Sequence, residues 1–185
     1  MTRLATTHEH SDVTAAPLVF TLAGLCSGAV CWLVPLPRLA ITIGGQHVNL
    51  TNQGLVFAAA LAAAVFLTGV ASRLEQTPAT WIAAFVATWG LYLLVLHLLF
   101  GGYFSQLFRM PVWLNLGLCG MIGAAMMGLI TATVVKTHAG VLHLIMILAG
   151  GVSALAAFHP IFLFPWWQTV VAAVIGLWIA QAIED

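Results

Sequence analysis

Six long apolar segments contain no Asp, Glu, Lys or Arg, and this constrains the fold more than any other feature of the chain. They run near Ala16 to Val34, Gly54 to Val70, Thr80 to Phe100, Val112 to Val135, Gly140 to Phe158 and Ile161 to Ala180. A helix that crosses hydrocarbon needs about 20 mostly apolar residues, because no water is there to bond an open backbone. Six such helices take up most of the 185 residues and leave only short connections. The pattern predicts an all-α fold, a polytopic integral membrane helical bundle of about six transmembrane helices in one unit over residues 16–185.

Composition narrows the function classes. Only 5% of the residues are charged and 62% are hydrophobic, whereas a soluble domain carries about 25% charged residues. Too few polar atoms are present to cover a water-exposed globule, which argues against a soluble enzyme. Five basic and five acidic residues cancel, so no basic face awaits a phosphate backbone. No nucleic-acid partner is expected.

Residues 1–15 form a polar N-terminal tail with Glu9 and Asp12. The basic region, apolar core and small-residue cleavage site of a signal peptide do not occur there in order. The segment from Ala16 therefore reads as a retained helix. Six spans place both termini on one side with Arg3, Arg73 and Lys136, against Arg38 and Arg109 on the other. The positive-inside rule then puts both termini in the cytoplasm of a protein integral to the plasma (inner) membrane. At the other end, His159-Pro160 and Pro165 interrupt the apolar run. If residues 161–164 form a turn, the last helix starts near Trp166, Trp166-Trp167 mark the headgroup level, and five spans remain.

The longest connection, Pro35 to Gln53, alternates around Gly44-Gly45: Leu39, Ile41 and Ile43 before it, Val48 and Leu50 after. Two alternating runs about a Gly-Gly pair predict a short extracytoplasmic β-hairpin-like loop. It reads as a lid over the bundle or a strand-like docking surface. Extended backbone of this kind is not tolerated facing lipid.

Within the spans, small residues recur at helix-packing spacing. Gly24 and Gly28 form one GxxxG, and Gly120, Ala124 and Gly128 continue the spacing in the fourth segment. Small residues let membrane helices approach closely, so these five are candidate helix-packing positions, within the chain or against another subunit or copy. A faint echo (Gly24-Leu25-Cys26 with Gly117-Leu118-Cys119, and Gly90-Leu91-Tyr92 with Gly176-Leu177-Trp178) raises a three-plus-three inverted repeat. Cys26, Cys31 and Cys119 form no CxxC, and the first two do not share a helix face. They read as small packing residues.

Seven histidines invite a metal or haem reading. Topology assigns His8, His10, His138 and His143 to the cytoplasmic side, and His47, His97 and His159 to the other. His97 and His143 fall at opposite faces, roughly 20 Å apart in depth at 1.5 Å rise per residue, and cannot clamp one haem. His47, His97 and His159 are the candidate metal ligands, since imidazole suits zinc, copper, nickel and iron. Interfacial histidines bonding water, headgroups or backbone are the competing reading.

No nucleotide loop, HExxH, GxSxG or kinase signature occurs, and no catalytic residue is assigned. The absence of intramembrane charge argues against a pump coupled to protons or ions. The expectation is an accessory or structural subunit of a larger inner-membrane complex for transport or electron transfer. It would pack against partner helices, other subunits or a second copy, with bound membrane lipids or quinone. The alternatives are a small stand-alone transporter or channel for a neutral or hydrophobic solute, and a metal- or haem-binding redox protein using the extracytoplasmic histidines.

Overall fold

A computed structural model describes residues 15–34, 38–43, 46–51, 53–100, 109–137, 140–156 and 160–184. In chain order these form α1 (Ala16–Leu33), β1 (Arg38–Ile43), β2 (Gln46–Thr51), α2 (Gln53–Thr68), α3 (Val70–Arg73), α4 (Pro78–Phe100), α5 (Val112–Val135), α6 (Val141–Ala156) and α7 (Pro160–Glu184). The tail, residues 1–14, lies outside the described residues.

Among the described residues, four helices are long and apolar enough to cross a membrane: α1, α4, α5 and α7. The expectation of six is met at these four. The other two segments, α2 and α6, are 16 residues each, about 24 Å at 1.5 Å per residue, short of a hydrocarbon core of about 30 Å. The cause at α2 is local. The second segment was expected to run to Val70, but Gly69 takes φ +61°, a left-handed conformation that ends a helix. The chain re-forms α3 for a single turn, where the Arg73 guanidinium donates to the Thr68 carbonyl at 2.9 Å. That bond occupies a carbonyl that the interrupted helix leaves open.

The last segment resolves differently from the five-span alternative. Helix α7 runs from Pro160 through Pro165 to Glu184 without a break. The two adjacent tryptophans face different ways. Trp166 is exposed and Trp167 is buried, because adjacent helical residues point about 100° apart.

The helices form a ring in which α1 packs on α2, α2 on α4, α4 on α5, α5 on α6, α6 on α7 and α7 back on α1. The most extensive contacts are α1 with α7 and α5 with α6. In an inverted repeat α1 and α5 would be equivalent, with α2 and α6 as their matching partners. The order of neighbours around the ring is kept when α1, α2 and α4 are exchanged with α5, α6 and α7, while the α1–α7 contact is more extensive than its counterpart α4–α5.

The ring is filled. Trp167 donates its indole N–H to the Gly120 carbonyl of α5 at 3.1 Å. Its ring meets Phe57 of α2 edge-on, with centroids 6.0 Å apart. Gly123 makes room for it: a Cβ there would lie 2.9 Å from the indole. Leu61, Val65, Met127, Val171 and Ile175 continue this core. Outside, Leu18, Phe66, Leu67, Val86, Leu129 and Leu148 are exposed, an apolar exterior suited to lipid. Strands β1 and β2 pair antiparallel, with Arg38 opposite Thr51 and Ile43 opposite Gln46.

Candidate functional site

The candidate packing glycines sit at the two most extensive crossings. A Cβ on Gly24 would lie 2.5 Å from the Gln168 carbonyl oxygen and 2.8 Å from the Ala172 Cβ. Gly28, one turn on, is also buried. At the other crossing, a Cβ on Gly120 would lie 2.5 Å from the Ala154 Cβ and 2.6 Å from the Gly150 carbonyl oxygen. One on Gly150 would strike the Ala124 Cβ, and one on Gly128 would strike the His143 ring. All these neighbours belong to the chain itself, so these small residues face internal partners.

The polar groups inside the bundle are few and mostly occupied. Gln168, fully buried on α7, accepts from the Ser27 hydroxyl of α1 at 2.8 Å. Its amide nitrogen lies 3.8 Å from Cys31 Sγ, and that thiol faces the Gln53 carbonyl of α2 at 3.6 Å. One amide thus links three helices. Thr68, Thr88 and Thr131 bond the carbonyl four residues before them, at 2.7, 3.0 and 2.9 Å. Side chains that spend their donors on their own helix need no water. The exceptions are the indole N–H groups of Trp81 and Trp89, buried with no acceptor among the described residues.

The sequence reading missed Gln168, although a signal was present: Asn115 and Gln168 are the two side-chain amides inside the six expected spans. Of the cysteines, Cys26 is exposed while Cys31 and Cys119 are buried.

Of the histidines assigned to a metal, His159 lies outside the described residues. His47 is opposite Thr42 in the strand pair, and His97 is within α4; the side chains of these two also lie outside. Among the described residues no three His, Cys, Asp or Glu side chains group as metal ligands. His143 is described. It donates from Nε2 to the Ala125 carbonyl at 2.9 Å, so its proton sits on Nε2. Its ring centre is 5.8 Å from that of Trp178.

Beside this pair the bundle opens. A cleft of about 420 Å³ is lined by Lys136, Thr137, Gly140, Val141, Leu142, Trp178, Gln181 and Ala182. It lies where α5 ends, α6 begins and the last turns of α7 pass. The Trp178 indole donates to the Thr137 hydroxyl oxygen at 2.8 Å, which fixes the floor. Lys136 ends α5 in the left-handed conformation, φ 58° and ψ 27°. One wall is therefore polar and the other apolar, which suits an amphiphile better than a small ion or a catalytic centre. Among known proteins, no family model, no curated protein and no solved structure matches the chain.

Proposed function

We propose that the chain is an accessory or structural subunit of a larger inner-membrane complex for transport or electron transfer, holding lipid or quinone and partner helices on its outer faces. In this reading α2 and α6 complete six membrane-embedded helices, both termini are cytoplasmic, and β1 and β2 lie on the extracytoplasmic side. The observation that carries it is the filled ring axis: Trp167 reaches across to Gly120 and Phe57 where a permeation path would run. Intramembrane charge, the usual mark of coupled transport, is absent from the six segments. A bundle with a packed axis and an apolar exterior offers its surface rather than a channel.

Native mass spectrometry after gentle detergent extraction tests this reading. The expected result is co-extraction with other membrane subunits in fixed stoichiometry. A lone chain or homo-oligomer that carries a neutral solute across liposome membranes would overturn it.

A further inference from the structure

Among the described residues, the rim cleft has three hydrogen-bond donors without an internal acceptor. Lys136 and Gln181 line it with exposed side chains and no internal partner among the described residues. Thr137 accepts the Trp178 indole proton, which leaves its own hydroxyl hydrogen free to donate. Among the described residues of the lining, Lys136 is the only charged one, and none is a carboxylate. Lys136 holds a left-handed backbone conformation, as Glu75 and Arg109 also do, a common way for a helix to end. The first turn of α6, entering the cleft at Val141 and Leu142, has no acidic side chain. Its amides oppose the carbonyl ends of α5 and α7, which reach the same rim, so the fixed positive charge there is that of Lys136.

The other half of the cleft is apolar and continues along the bundle. Val141 lines the cleft and begins an exposed stripe of Leu144, Ile145, Leu148 and Val152 down α6. These positions recur at helical spacing on one face, so an acyl chain starting at Val141 has a continuous apolar track. A volume near 420 Å³ holds a headgroup and not a whole lipid.

We propose that this cleft binds the phosphate headgroup of an anionic lipid, with Lys136, Thr137 and Gln181 as donors and the α6 stripe carrying one acyl chain. This deepens the lipid-binding part of the subunit reading. Its test uses the purified chain alone, so a missing protein partner and a missing lipid are read separately.

The experiment is native mass spectrometry in mild detergent, titrating phosphatidylglycerol, phosphatidylcholine and inorganic phosphate in parallel. The expected result is one phosphatidylglycerol held in preference to phosphatidylcholine, whose choline cation Lys136 repels. Lys136→Gln should weaken retention about tenfold, the scale of one charge-assisted hydrogen bond, and Thr137→Val by less. Lys136→Gly removes the same charge while suiting φ 58° better, so its loss of lipid at unchanged or raised thermal stability excludes misfolding as the cause. Arg109→Gln, outside the cleft lining, should retain lipid as the wild type does. Equal retention of the two lipids, unchanged retention in both Lys136 variants, or equal loss in Arg109→Gln would overturn the site. Lys136-dependent binding of inorganic phosphate with no lipid preference would overturn the lipid assignment.

Discussion

Where α1 crosses α7, Gly24 lies against the Gln168 backbone while Ser27 donates to the side chain of that same residue. Where α5 crosses α6, Gly120, Ala124, Gly150 and Ala154 meet without a polar side chain among them. The first contact is close and latched beside its glycine; the second is close and dry at its glycines, with the His143 bond to the Ala125 carbonyl further along the same helix pair. Lipid is as apolar as leucine, so neither pair gains from leaving water, and contact must come from packing and from hydrogen bonds. The difference shows how the two terms divide. A latch adds a modest amount, about 0.6 kcal/mol on average for an interhelical bond in a membrane. The dispersion gained by bringing backbones together is spread over every atom of the crossing. Volume should therefore matter more than polarity at both.

The largest expected effect comes from filling the dry crossing. Gly120→Leu places its Cβ 2.5 Å from Ala154 and 2.6 Å from the Gly150 carbonyl, where backbone atoms cannot step aside. Overpacking costs about 1–3 kcal/mol and occasionally more. The variant should lose most of its folded yield by size-exclusion chromatography, and Gly24→Leu should follow it closely. Ala62→Leu, at a partly buried position of α2, should fall much less. Full yield in both glycine variants would show that the crossings are looser than described.

Next in size is the latch. Gln168→Leu removes the acceptor of Ser27, but the Ser27 hydroxyl lies 2.9 Å from the Gly24 carbonyl and keeps a partner there. The cost by thermal unfolding in detergent should be about 1–2 kcal/mol. In a double-mutant cycle with Ser27→Ala, the coupling should be below about 2 kcal/mol. A coupling above that of the glycine variants would reverse the ranking of packing over polarity.

The smallest effect should come from the rim. His143→Phe keeps a ring beside Gly128 and Trp178 but loses the bond to Ala125, worth about 1 kcal/mol. Unfolding temperature should drop slightly with yield intact. A collapse in yield would make the rim part of the dry crossing rather than its end.

The helices themselves were legible in the sequence because apolar runs without charge leave the backbone no alternative in lipid. Segment five was expected to begin at Gly140 and helix α6 begins at Val141; segment four was expected over Val112 to Val135 and α5 spans those residues. Boundaries went astray at Gly69, where one backbone angle ended α2 early. A sequence shows that a glycine is there and does not show which of its allowed conformations the neighbours will select.

Facing was much less legible. In a soluble helix the buried stripe differs in polarity from the wet one, but here core and lipid are both apolar and the contrast vanishes. Trp166 and Trp167 are indistinguishable by composition, yet one is exposed and the other fills the ring. Gln168 and Ser27 are polar residues in apolar helices, a signal the sequence reading passed over, and their pairing spans 141 positions of chain. The cleft likewise joins Lys136 and Thr137 to Trp178 and Gln181, residues about 40 positions apart. By itself the sequence determined that the chain is membrane-embedded and helical, and where close approach is sterically possible. Only the tertiary structure decided which helices approach and where the bundle stays open, because those choices rest on contacts between distant segments that local pattern does not encode.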